Sequence, residues 1–212
     1  MDNPVILFGA NALGRSAKEI FEGNGNVVYG FLDDNKSLHG RELDNVVVLG
    51  STDDDGFLKL IGKKCEAFVA MDDNKLRKSL VKMLHEIRHV QPVNAIHRNS
   101  LVAQSASIGH GNFMDFGTAI GAGAELGNHI LIQANAVIGA EVKIGDFVQV
   151  GAGSILNPGV LIEEEAFIGS GVVVVSGVTI GKGARIGAGS VVIGSVKAGD
   201  TVFGNPAEKV NA

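Results

Sequence analysis

The side chains able to do chemistry in this chain fall into two groups, far apart in sequence. The first is the turn Gly9-Ala10-Asn11-Ala12-Leu13-Gly14, joined about 20 residues on by Asp33-Asp34-Asn35. A glycine-edged turn between a strand and a helix offers unpaired N–H groups to a phosphate. Acids ending the next strand suit ribose hydroxyls or a base edge. The turn differs from the dinucleotide fingerprint in having Asn11 at the middle glycine, so spacing alone is a weak match. A tight turn beside solvated acids is the competing reading. The second group lies in the later half: Glu141 and only two histidines, His110 and His129. Imidazole is the usual proton acceptor near neutral pH, and a carboxylate takes that role when burial raises its pKa.

The remaining reactive residues suggest structure. His39 stands in a polar loop, His85 and His89 end a helix whose dipole they suit, and His97 belongs to a linker. The single cysteine, Cys65, excludes an internal disulfide and a multi-cysteine zinc site; beside the apolar run Ala67–Met71 it reads as core. Histidine is too scarce for a metal enzyme built on several imidazole ligands, so no metal is expected. Glu163-Glu164-Glu165 reads as a solvated corner. The formal charge is −5 and no basic run exceeds two residues, which argues against nucleic acid and acidic membranes as partners. Met1-Asp2-Asn3-Pro4 has no basic leader and no 18-residue apolar span follows, so a cytoplasmic protein is expected.

The elements that must position these groups are legible in a six-residue rhythm. Its leads run from Val102 through Ile108, Met114 and Ile120 to Val192 and Ala198, nearly all Ile, Leu or Val. Four residues after many leads stands a small residue: Thr118, Ala124, Ala136, Ser154, Ala166, Ala184, Ser190. A short period held this long means a solenoid, whose units bury their apolar edges only against neighbouring coils. Bulky leads fill a triangular interior, small residues sit where the wall bends, and glycine is expected to permit the corner dihedrals. Three hexads make a coil of about 18 residues. Counting in such steps puts His110 and His129 on the face led by Ile108, Leu126 and Ile144, and residue 140 on the face led by Ile120, Ile138 and Leu156. His129 can then meet residue 140 only from a neighbouring copy; otherwise it is an outward polar residue or an interface hydrogen bond.

The first 95 residues alternate strands with helices. Strands are expected at 5–8, 27–32, 46–49 and 67–71, and helices at 13–22, 53–62 and 74–87. This implies a parallel sheet with right-handed crossovers. A complete two-halved dinucleotide fold needs more chain, so a mononucleotide moiety, as in a sugar nucleotide, fits better than NAD. Residues 1–95 form one domain and 96–212 the other.

Val5-Ile6-Leu7-Phe8-Gly9-Ala10, Gly30-Phe31-Leu32-Asp33-Asp34-Asn35, Asp73-Asn74-Lys75-Leu76-Arg77, Ile96-His97, the hexads and the terminal Gly204-Asn205-Pro206-Ala207 together carry a family likeness. The chain resembles the hexapeptide-repeat sugar acyltransferases of the sialic-acid O-acetyltransferase and bacillosamine/perosamine N-acetyltransferase type. The resemblance implies a Rossmann-like domain followed by a left-handed parallel β-helix, a homotrimer, and acetyl transfer from acetyl-CoA to an amino or hydroxyl group of a sugar, often nucleotide-linked. It implies that Gly9, Ala10, Asn11, Asp33, Asp34 and Asn35 face the acceptor's nucleotide, and that Gln149, Gly169, Ser170, Gly187, Ala188, Gly204 and Pro206 face acetyl-CoA between two subunits. Lys182 and Arg185 are a basic pair that could meet its phosphates, or else line a solvated face. The family's catalytic histidine falls at Ala140 and a second, CoA-associated histidine at Gln149; the partner acid, Glu141, remains. Glu141, or His129 from a neighbour, would then replace the base. The alternative is a non-catalytic homologue that binds a nucleotide sugar.

Overall fold

The computed structural model describes residues 3–210; Met1, Asp2, Asn211 and Ala212, the first two within the segment read for a leader, lie outside the described residues. The chain divides into two compact units, Met1–Arg98 and Asn99–Ala212.

The first unit is an α/β sheet of order β3-β4-β2-β1-β5, formed by β1 (Val5–Phe8), β2 (Val28–Leu32), β3 (Glu42–Leu43), β4 (Val46–Gly50) and β5 (Glu66–Val69). All pairs are parallel except β3–β4. Val5 to Phe8 are all buried, as expected of a parallel strand covered on both faces. Helix α1 (Ala12–Gly23) buries Ala17, Ile20 and Phe21. The short hairpin β3–β4 was not expected; its turn is Asp44-Asn45, both left-handed, a pairing suited to a two-residue hairpin turn. The helix expected over 53–62 is only α2, Asp55–Leu58, capped by Asp54. The helix expected to Ile87 is α3 (Asn74–Met83), followed by a π turn, Leu84–Arg88, and a left-handed His89.

The second unit is a left-handed parallel β-helix of two-residue strands on three walls. The first wall stacks Leu101–Val102, Ala119–Ile120, Val137–Ile138, Ile155–Leu156, Val173–Val174 and Val191–Val192. The second stacks Ser107–Ile108, Glu125–Leu126, Lys143–Ile144, Leu161–Ile162 and Thr179–Ile180. The third includes Phe113–Met114, Leu131–Ile132, Gln149–Val150, Phe167–Ile168, Arg185–Ile186 and a terminal antiparallel hairpin, Thr201–Gly204 with Ala207–Lys209. Leads from Ile120 to Val192 are buried, and the seven small positions named above are fully buried. The rhythm breaks once: Val196, not Ala198, pairs with Ile180, and Val202 with Ile186, so the last coil is shorter.

Glycine's expected role divides in two. Glycines directly after a lead allow coils to approach: a Cβ at Gly121 would lie 2.6 Å from Ala140 N, and one at Gly145 2.7 Å from Glu164 N. The left-handed corner is a different residue, three after the lead, and five of these are not glycine: His129, Asn135, Glu141, Phe147 and Glu165.

Candidate functional site

In the first unit the candidate residues gather at the carboxyl ends of β1, β2, β4 and β5. Gly9 has φ +115°, and a Cβ there would meet Ala70 O at 2.6 Å; a Cβ on Gly14 would run into Gly9 O. Both glycines are therefore required by close packing of the helix start on the strand end. Asn11 caps α1, its Oδ1 accepting from Gly14 N at 2.8 Å, while its Nδ2 donates to Ala70 O at 2.9 Å. It thus bridges the helix start to the end of β5, which a middle glycine would not do. Asp33 accepts from Ala10 N and Asn35 N, both at 2.8 Å. Asp34 Oδ1 accepts from the Thr52 N–H and hydroxyl at 2.9 and 2.8 Å. Asn35 Oδ1 accepts from Ser37 N and Oγ. The six residues are brought together, and the polar ones among them brace these strand ends, where open parallel sheets take their ligands. A carboxylate has about four acceptor positions, so these bonds leave room for a ligand donor.

In the second unit the candidates lie on different edges. Ala140 and Glu141 form the corner from first wall to second. Glu141 is exposed with φ +58°, and the same corner is glycine in the coil before it (Gly123) and the two coils after it (Gly159, Gly177), with Ser105 in the first coil. Gly169, Ser170, Gly187 and Ala188 follow third-wall strands, at the corner leading into the first wall. The chain's end comes to them: a Cβ on Gly187 would touch Phe203 Cδ2 at 2.5 Å, and Gly204 N donates to Ser190 Oγ at 3.1 Å. Pro206 sits in the turn of that hairpin. Gln149 is on the third wall, one coil from Phe167. Within one chain, then, Glu141 and the corner of Gly169, Ser170, Gly187 and Ala188 stand at opposite edges of the first wall, while Gln149 lies on the third.

His129 is at a third place, the corner from second wall to third. It is 5% exposed, left-handed, and stacks on Phe147 at 4.9 Å between ring centroids. The expectation of an outward-facing His129 is therefore corrected: the ring fills its own corner beside Gly111. Lys182 pairs with Glu164 and Glu165, so the acids at 163–165 are partly neutralised rather than simply solvated. Arg185 instead lies over the Phe167 ring at 4.5 Å from its centroid. Cys65 is buried, which pushes its thiol pKa up and removes it as a nucleophile. Among the described residues no group of three or more His, Cys, Asp or Glu could hold a metal, and no helix is long and apolar enough to cross a membrane.

The outward side of the first wall carries Leu101, Ala119, Val137, Ile155, Val173 and Val191 in one column. Leu101 is 74% exposed, and Val137 and Ile155 are 40% each. A flat apolar strip with Glu141 on one edge and Ser170 on the other is the site's most telling feature, since such strips mark contact surfaces.

A fold and site of this kind define a class, and comparison with known proteins agrees. Residues 4–84 match the PglD N-terminal domain, and residues 141–176 and 159–194 match the bacterial transferase hexapeptide (six repeats). The chain belongs to the hexapeptide-repeat sugar acyltransferases. Among solved structures, it is similar to a histidine-to-alanine variant of GDP-perosamine N-acetyltransferase from Caulobacter crescentus, in complex with CoA and GDP-perosamine. Identity is 30%, coverage 100% of this chain and 99% of that one, and TM-score 0.91. WeeI from Acinetobacter baumannii is 26% identical over 98% and 99%, with TM-score 0.86. The acetyltransferase domain of PglB from Neisseria gonorrhoeae, with acetyl coenzyme A, shares the fold at 24% identity and TM-score 0.89. No curated protein matches.

Proposed function

We propose that this chain is an acetyl-CoA-dependent acetyltransferase acting on an amino group of a nucleotide-linked sugar, working as a homotrimer. The observation that carries the reading is the full-length likeness, through both units, to an enzyme described with CoA and GDP-perosamine. The crevice of the first unit suits the nucleotide, and the third-to-first corner of the β-helix suits the pantetheine. The apolar first wall supports a trimer: packing it against copies of itself brings the Glu141 edge of one chain to the Ser170 edge of the next. Acetyl transfer forms a C–N bond at the thioester carbonyl and breaks the C–S bond, while the amine's proton leaves and the thiolate gains one. Glu141 is the residue to which we assign that proton. It is exposed and keeps a left-handed backbone where the neighbouring coils carry Gly123 and Gly159, which supports a demand on its side chain.

A second reading has its own observation. Alanine stands at position 140, directly before that acid, so the corner offers no imidazole. The chain would then bind its ligands without turnover. One assay separates the two: CoA release from acetyl-CoA, with UDP-, GDP- and dTDP-amino sugars, on this chain and on Ala140→His. Turnover by the unaltered chain supports the enzyme. Turnover only after Ala140→His leaves an assembled site that lacks its base, and none in either rejects the acetyltransferase.

A further inference from the structure

The turn between β5 and α3 holds a buried cation that the proposed chemistry leaves unused. Arg77, early in α3, is fully buried. Enclosing a guanidinium is costly unless its donors are met, and an apolar residue of similar volume often does as well for stability. Burial lowers the Arg77 pKa to about 10, with the charges of Asp72 and Asp73 opposing the shift, so it remains a cation at neutral pH. Its donors reach the carbonyl oxygens of Met71 and Asp72 and Oδ1 of Asn74. The same turn is held from the other side. Asn11 of the α1 cap donates to Ala70 O, and Gly9 packs so closely that an added Cβ would lie 3.2 Å from Met71 Cε.

In the sheet order, β1 lies between β2 and β5, so the connections diverge at the β1–β5 gap. Open parallel sheets take ligands at the carboxyl ends of the strands flanking such a gap. One lip of that gap is the Gly9–Asn11 turn, and the other is the Ala70–Asn74 segment gripped by Arg77.

We infer that Arg77 is a positioning residue for the phosphate-bearing acceptor: it fixes the main chain of residues 71–74 as one lip of the nucleotide crevice. Its charge, behind that lip, also offsets those of Asp72 and Asp73 for an incoming anion. The inference rests on the nucleotide-sugar reading above.

Full-length protein, Arg77→Lys and Asn74→Ala are titrated calorimetrically with UDP, GDP and dTDP, and with CoA as an internal control. Lysine keeps the charge but cannot span three acceptors. Its nucleotide affinity is expected to fall about tenfold, the size of a lost charged hydrogen bond, with CoA affinity unchanged. Asn74→Ala removes one partner of the fork and is expected to lose about threefold. In an acceptor assay the loss should lie in KM and not in kcat. A folded Arg77→Lys protein with wild-type nucleotide affinity overturns the inference, as does parallel weakening of nucleotide and CoA. Should Arg77→Lys not fold, unchanged nucleotide affinity in Asn74→Ala overturns it. Wild-type protein that binds CoA but none of the three nucleotides rejects the nucleotide-sugar reading itself, and the inference with it.

Discussion

Glu141 holds a backbone that glycine adopts freely and that costs an L-residue about 1–2 kcal/mol. Replacing it with glycine should therefore leave thermal stability unchanged or slightly raised, while acetyl transfer is lost. Calorimetric melting and CoA release on one sample check both, and a Glu141→Gly protein with normal turnover would remove Glu141 from the chemistry. His129 has the same backbone but a different surrounding, buried and stacked on Phe147. His129→Ala should lower stability by about 1–3 kcal/mol through lost packing and stacking, with turnover per folded molecule unaffected. Selective loss of turnover would bring His129 back as a candidate base. The two residues are indistinguishable by backbone strain alone; exposure and the company of their columns separate them.

At the scale of elements, coil spacing rests on glycines with no room above them. Gly145→Ala would place a methyl 2.7 Å from Glu164 N, a backbone atom that cannot swing aside. Overpacking of this kind costs about 1–3 kcal/mol, so a lower melting temperature is expected, measured by circular dichroism. Much of this architecture was legible in the sequence because a period of six and its buried leads are properties of side-chain type. The strand–helix alternation of the first unit was legible for the same reason, as in the run Val5–Phe8. What escaped was local. The β3–β4 hairpin is two residues long on one side, too short to show alternation, though Asp44-Asn45 carries a turn signal. Helix α2 stopped at Leu58 because its acidic start predicts a beginning, not a length. The two-residue slip that put Val196 in place of Ala198 follows from pairing, which no periodicity reports. In the site, the crevice residues were found by type and order. Their mutual bonds, such as Asp34 with Thr52, and the burial of Arg77 depend on contacts between distant segments.

For the whole molecule, the proposed trimer rests on the first wall. Val137→Glu and Ile155→Glu each place a charge on a strip that is apolar from Leu101 to Val191. Both should yield monomers in sedimentation velocity, with the β-helix intact by circular dichroism and CoA affinity lost. A monomer that binds CoA as tightly as the wild type would put the whole donor site within one chain. The terminal hairpin bears on assembly in another way. A β-helix end displays backbone donors and acceptors in the register that the next coil would use, so it is a template for its own extension. The shortened last coil and the antiparallel return of Ala207–Lys209 onto Thr201–Gly204 replace that template with a strand of opposite direction. The hairpin that brings Phe203 to Gly187 thus also closes the third wall: the strand it leaves outermost runs against the direction that a further coil would need.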